Sequence, residues 1–473
     1  MRLLVETPRG RSSERHYTLR VVLSEWLGLP WSAHESDRSD ILIRVQGDLT
    51  ESEIRLPDSF FRGATAAWLR SSSLPTLPLD WRPVAECHSE ALQRGTLLPV
   101  LFGEAATVLE TFDASASSIQ FSVDIFGSIF FLISRYEELV LETELDDHAR
   151  FPHEASVAHN AGFLKFPLAD AYTELLSAAV RRLWPRAALT EWEYRVVLSH
   201  DVDMPLARWY PGVSALVRSA VGDVVKRKEP LLALRRAASW ARVIPTAQDP
   251  WNCFGFLMDV AEQHNLSATF NFLAQDRGNP LEGQYALADP WIGELMRSIH
   301  RRGHEIGLHA TYTAHEDPAR LSDEFQALLT ACRRLDIGQS RWGVRHHFLR
   351  WTPRAWRSAA DAGLDFDTTV GYGRHTGFRA GTGRPYSTYD LINHQDLSLS
   401  ERPLLVMDAT LSYYWKLSPD VAIRTAVEVA DQCRRFGGSF SLLWHNSSLA
   451  SRRERLWYRE LVEEVVNQPR RAA

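Results

Sequence analysis

Two aspartates, Asp201 and Asp203, follow an apolar run at 194–199. An extended chain points residues two apart to the same face. Two carboxylates on one face repel each other unless a cation or an arginine neutralises them. A divalent metal bound by Asp203 and histidine would do so, and Arg345 could pair with Asp201. His309 ends a second β-like run at 305–308, and His315 follows across residues 310–314. Two imidazoles and a carboxylate, with coordination positions left open, suit a hydrolytic Zn²⁺ or a related divalent ion. His445 follows the apolar Leu442, Leu443 and Trp444. A histidine there could titrate near neutrality and donate a proton to a leaving group. Arg345, with His346 and His347 behind it, and Asp367 also close short apolar runs. Singly, each has an ordinary explanation, since aspartate is common in turns and Asn446 or Ser447 would suit a helix cap. Five runs that all end on reactive side chains are harder to dismiss.

Such residues need strands to carry them. Beyond 194–199, strand-like runs occur at 268–273, 305–309, 342–345, 366–370, 404–407 and 439–445. Helical apolar spacing lies between them, at 254–264, 290–302, 321–335, 353–362 and 421–436. Alternation of this kind predicts a parallel α/β architecture, and this many units favour a barrel. Barrels gather their reactive side chains at the C-terminal ends of the strands. A long helical segment at 205–243 carries Lys226, Arg227, Lys228, Arg235 and Arg236. A basic amphipathic helix can touch a membrane surface or a polyanion, although a solvated face on a helical insertion is the preferred reading.

Residues 1 to about 185 read as mixed α/β. Strands are expected at 21–23 and 41–45, helices at 125–139 and 166–184, and a polar loop at 146–152. Pro185 closes the last helix, placing a boundary near 186–194. The expected division is a mixed α/β unit at 1–190 with no chemical constellation of its own, and an α/β barrel at 191–460.

The 473 residues exceed what one core usually serves. A formal net charge of −6 argues against a broad phosphate-binding surface, so nucleic acid is not an expected partner. Four cysteines, Cys87, Cys253, Cys332 and Cys433, lie far apart, which fits a reducing compartment. Residues 1–6 lack the apolar run of a secretory signal, and the most hydrophobic stretch, 126–134, is far shorter than the roughly 20 residues that span a bilayer. A cytoplasmic location is the resulting expectation. No motif fixes an oligomeric state. Histidine is unevenly spread, with 11 of 17 from His200 onward, where the reactive run ends lie.

Those run ends also carry a family resemblance. Ser-His-Asp-Val-Asp at 199–203 resembles a variant of the Thr-Phe-Asp-Asp-Gly motif of the polysaccharide deacetylases, also called the NodB-homology family. Gly-His-Glu-Ile-Gly-Leu-His at 303–309 is similar to the block that opens their metal-binding motif. Residues 345–351, Asp367 and Leu443-Trp444-His445 stand where the family has its arginine, later aspartate and closing leucine–histidine motifs. The set looks closest to a subgroup with His-Asp-Val-Asp, whose companion N-terminal domain residues 123–184 resemble.

The resemblance implies a distorted (β/α) barrel that hydrolyses an acetyl or similar acyl group on an amino sugar or other carbohydrate, with Zn²⁺ as the expected cofactor. Carried over by position, Asp201 would be the general base and His445 the general acid. Arg345 would orient Asp201, Asp367 would join the catalytic group, and Asp203, His309 and His315 would bind metal. This sequence departs from the pattern at three points. Val202 separates the two aspartates, Thr313 stands four residues after His309 where the family has its second histidine, and His346-His347-Phe348 follows the arginine. A catalytically degenerate barrel that binds a glycan or a partner is the alternative from another class. A membrane-surface scaffold acting through residues 215–243 is a further one.

Overall fold

Strands dominate where apolar and β-branched residues run together. The computed structural model describes residues 1–467, apart from 65–66, 86–88, 90, 210–211, 226 and 275–281. Cys87 and Lys226 therefore lie outside the described residues. In the first part of the chain, the strands are β1 (Leu3–Pro8), β2 (Trp31–Ser36), β3 (Asp40–Val45), β4 (Glu53–Pro57), β5 (Asp80–Pro83), β6 (Leu97–Val100), β7 (Glu110–Asp113) and β8 (Ser118–Phe121). Six of them form a mixed sheet in the order β2-β1-β3-β4-β8-β7, and β5 pairs with β6. The second part contributes β9 (Arg195–Val202), β10 (Ala268–Leu273), β11 (Glu305–Ala310), β12 (Gly343–His346), β13 (Phe366–Asp367), β14 (Tyr386–Asp390), β15 (Gln395–Glu401), β16 (Val406–Met407) and β17 (Ser439–Leu443).

These nine make one sheet, ordered β14-β15-β13-β12-β11-β10-β9-β17-β16. Every neighbouring pair is parallel except β14 with β15. The expected parallel α/β architecture is thus present. Among the described residues no ladder joins β14 or β15 to β16, so the sheet is open where a barrel would close. Backbone bonds from Leu404 N–H to Val370 O and from Gly377 N–H to Leu405 O, both at 3.0 Å, reach across that side.

The helices between strands start where the sequence signals them. Pro290 opens Pro290–Arg301 behind Asp289, whose carboxylate accepts the Trp291 N–H at 2.9 Å. Asp317 caps Pro318–Arg334 in the same way through the Arg320 N–H at 3.0 Å. The expected long helix at 205–243 is two helices, Val213–Val225 and Pro230–Trp240.

One expected element is replaced. Residues 21–23 are not a strand but part of the wide helical turn Arg20–Trp26, which continues the helix Ser12–Leu19. Val21, Val22, Leu23 and Trp26 are all buried there. A three-residue apolar run cannot by itself separate a strand from a buried helix, and tertiary burial decided it.

The main core is continuous from Leu3 to Val465 and draws on both sheets. A buried ion pair joins the two parts: Arg379 meets Glu138 at 2.6 Å, and Arg135, from Glu138's own part, meets the same carboxylate at 2.8 Å. Cys253, Cys332 and Cys433 are free thiols in the interior.

Candidate active site

Strand register brings the predicted side chains together. Asn271 on β10 is the partner of Asp201 on β9, Leu273 the partner of His309 on β11, and His309 the partner of Arg345 on β12. All lie at the C-terminal ends of parallel strands, so their side chains converge. His309 Nε2 stands 3.0 Å from Asp203 Oδ1 and 3.9 Å from Asp201 Oδ2. From the opposite side, His347 Nε2 is 3.7 Å and His445 Nε2 3.5 Å from Asp203 Oδ2.

Hydrogen bonds fix which nitrogen faces inward. His309 Nδ1 donates to the Arg345 carbonyl at 2.8 Å, and His347 Nδ1 donates to Glu282 Oε2 at 2.9 Å. Each Nε2 is then left with its lone pair turned towards Asp203. His309 Nε2 and Asp203 Oδ1 are buried without a hydrogen-bond partner, although they face each other. Two electron-rich atoms placed so closely need a cation between them. One donor atom from each of Asp203, His309 and His347 lies within 4.8 Å of the others. A carboxylate and two imidazoles, each imidazole held by a carbonyl or carboxylate behind it, are a donor set that fits a divalent ion.

The third member of this cluster differs from the sequence expectation. His315 does not join the group; its Nε2 is turned to Glu316 at 3.3 Å. His347 takes the place instead. It is carried by a turn in which Phe348 and Leu349 both adopt positive φ, 59° and 56°. Non-glycine residues rarely hold that conformation without support. Arg150 supplies it by donating from Nη1 to the Phe348 carbonyl at 2.9 Å, and the His148 ring lies 4.7 Å from the Phe348 ring. Arg350 ties back by donating from Nε to the His148 carbonyl at 2.7 Å.

Around the donor set stand two acid–base groups. Asp201 Oδ1 accepts the Asn271 amide at 2.8 Å, which leaves Oδ2 facing His309 and, at 4.0 Å, Arg345 Nη1. Burial raises the Asp201 pKa, but Arg345 and His445, joined by His309 whenever that ring carries a second proton, outweigh it and hold this carboxyl below its ordinary value. Gly307 makes room for the arrangement, because a Cβ there would lie 2.1 Å from Asn271 Oδ1. His445 Nδ1 donates to Asp408 Oδ1 at 2.7 Å, and its backbone N–H donates to Asp408 Oδ2 at 3.1 Å. Burial alone would lower the His445 pKa, yet the Asp408 charge and hydrogen bond, with Asp203 and Asp201 adding to them, raise it to about 10.

Arg345 reaches Thr368 Oγ1 at 2.9 Å and Ser199 Oγ at 3.1 Å, so its fork is anchored while one nitrogen faces Asp201. Asp367 sits apart from the donor set. Its Oδ1 accepts the Thr369 N–H at 2.9 Å, and burial raises its pKa to about 6, with Arg345 among the groups that pull it back.

Asn271, Glu282, Asp408 and Arg150 are site residues that sequence reasoning did not single out. Asp408 alone had a signal, as a carboxylate just past the apolar run at 404–407. Of the comparisons with other proteins, a family of unknown function, DUF7033, matches residues 3–185. No curated protein matches the chain. Several solved structures are similar to it, three of them as follows. A protein assigned as a polysaccharide deacetylase from Mycobacterium smegmatis shares 18% identity over 61% of this chain and 87% of that one, at a TM-score of 0.40. A mutant of a CE4 family pseudoenzyme with restored enzymatic activity shares 10% over 58% and 62%, at 0.29. A protein assigned as a polysaccharide deacetylase involved in O-antigen biosynthesis from Bordetella bronchiseptica shares 13% over 54% and 72%, at 0.24.

Proposed function

We propose that this chain is a metal-dependent hydrolase that removes an acetyl or similar acyl group from an amino sugar or a sugar-containing precursor. The observation that carries the reading is the meeting of Asp203, His309 and His347 around one point, with Asp201 on one side and the Asp408–His445 pair on the other. In this reading the nine-stranded sheet is an open form of a (β/α) barrel. A divalent ion, Zn²⁺ by the nature of the donors, would be held by Asp203, His309 and His347; when bound it polarises an acyl carbonyl and makes water more acidic.

The chain's own groups do the rest. Asp201 is charged at neutral pH and takes the proton of the attacking water on Oδ2, while Asn271 holds Oδ1. Arg345 keeps that carboxylate oriented. As the acyl carbon–nitrogen or carbon–oxygen bond breaks, His445 delivers a proton from Nε2 to the departing amine or alkoxide. Asp408 stabilises the imidazolium before the transfer and fixes the ring throughout. A site that only bound glycan would leave this carboxylate–imidazole pair without a task.

The test pairs metal analysis with acetate release from N-acetylated amino-sugar oligomers. Wild type is expected to hold one divalent ion and release acetate, Asp201→Asn to keep the ion and lose turnover, and His309→Ala to lose both. Undiminished ion binding and hydrolysis in both variants would overturn the assignment.

A further inference from the structure

Between β9 and β10 the chain leaves the sheet to form the two helices Val213–Val225 and Pro230–Trp240, which pack on each other. Their inner side is well occupied. Asp223 and Arg236 pair at 2.7 Å, and Arg236 lies 5.2 Å from the centre of the Trp251 ring. Leu232 packs with Ala207, Trp251 and Ala450. Asp249 accepts the Ala207 N–H at 3.0 Å and bonds Ser239. The outer side is therefore not exposed for want of attachment.

That outer side is aliphatic. Val213, Val217, Val221 and Val224 recur at helical spacing and are 48–59% exposed; Val225, Leu231, Leu234 and Val243 are 66–76% exposed. These eight are among only 19 exposed large apolar side chains in all the described residues. Such a concentration marks a contact surface rather than scattered surface residues. Arg218, Lys228, Arg235 and Arg242 are exposed on the same helices or just past their ends. Between 213 and 243 the sequence has seven basic and two acidic residues, in a chain whose net charge is −6. One of the two acids, Asp223, is buried against Arg236.

We propose that this helical pair is a docking face for an anionic lipid bilayer. Charge complementarity selects that occupant. A second copy of the same face would set cations against cations. A nucleic acid would meet the cations but leave the valine stripe wet. An interfacial amphipathic helix combines an apolar face with flanking lysine and arginine, and it lies on the membrane without crossing it. Consistently, no helix among the described residues is long and apolar enough to span one. The expected solvated charges are there, but an apolar stripe shares their face.

The helical pair leaves β9 just beyond Asp203. Asn446, next to His445, donates to the carbonyls of Met204 at 3.1 Å, Pro205 at 3.3 Å and Trp251 at 3.0 Å, which fastens the base of the pair to the site. Docking would hold the reactive strand ends beside the bilayer. It needs neither metal nor turnover, so it stands or falls apart from the hydrolase reading.

Vesicle co-sedimentation of the full chain tests it, using phosphatidylcholine with and without an equal part of phosphatidylglycerol. Wild type is expected to bind the mixed vesicles at least about tenfold more tightly than the neutral ones, at about fivefold per engaged cation. Val217→Asp with Val221→Asp should abolish binding to both, with an unchanged circular dichroism melt because both side chains are exposed. Arg218→Glu with Arg235→Glu should remove only the preference for phosphatidylglycerol, as high salt should. Absence of phosphatidylglycerol-dependent binding by wild type would overturn the proposal, as would valine variants that bind like wild type. A dimer in light scattering, lost in the valine variants and unaccompanied by vesicle binding, would assign the face to self-association instead.

Discussion

Asp408 acts on His445 twice, through the ring nitrogen and through the backbone N–H, and so sets both its orientation and its proton affinity. The acid form of His445 is present below about 10 and is lost as pH rises through that value. An alkaline limb near 10 is therefore expected in the pH–rate profile. Asp408→Asn removes the main group that raises this pKa, so the limb should move towards the ordinary histidine value of about 6.5, and turnover should fall by roughly a hundredfold or more. A profile unmoved by the substitution would rule out His445 as the acid. The choice of third metal ligand is equally open to measurement. His347→Ala should abolish stoichiometric ion binding in calorimetry, whereas His315→Ala should leave it intact. Asp201, Asp203, His309, Arg345 and His445 are legible in the sequence because each closes an apolar run. His347 is visible there but not assignable, since Arg345, His346 and His347 follow one another where β12 ends and a left-handed turn just beyond decides which of them faces inward. Asn271 and Glu282 have no motif at all; they matter through contacts with residues far away in the chain.

Elements place these side chains, and two small features show how. Gly307 lies mid-strand on β11, and Asn271 occupies the space its missing side chain leaves. Gly307→Ala should force Asn271 off Asp201, at a cost of about 1–3 kcal/mol in stability by urea unfolding and with a slower hydrolytic step. The 348–349 turn is the second feature. Arg150→Ala removes the donor that holds the Phe348 carbonyl, and ion affinity should drop about 10- to 100-fold while the fold persists. Most parallel strands are readable as apolar runs because both of their faces are covered. β14 and β15 are not, for Tyr386–Asp390 and Gln395–Glu401 are rich in polar residues; β15 is exposed at alternate positions, whereas β14 buries most of its polar side chains.

At the scale of the molecule, the expected boundary near 186–194 separates two sheets but not two interiors. The core is shared, Glu138 closes an ion pair with Arg379, and Arg150 reaches the turn behind His347. A chain starting at residue 191 would expose apolar surface now covered by residues 1–185, and it is expected to be aggregated in size-exclusion chromatography and deficient in ion binding. A monodisperse, ion-binding fragment would show that the two parts are independent. The donor set has a consequence of its own. His309 lies on β11, while Asp203 and His347 stand one residue past the ends of β9 and β12, and none is near another in sequence. Had two histidines stood four apart on one loop, the unfolded chain would already offer half a chelate and would compete for the ion. Here it offers none. By linkage, nearly all of the binding free energy of an ion held there would become stability of the native state, about 4 kcal/mol at a thousandfold excess over Kd. A nascent chain shorter than residue 347 would have no site, while β13 to β17 are still to follow it.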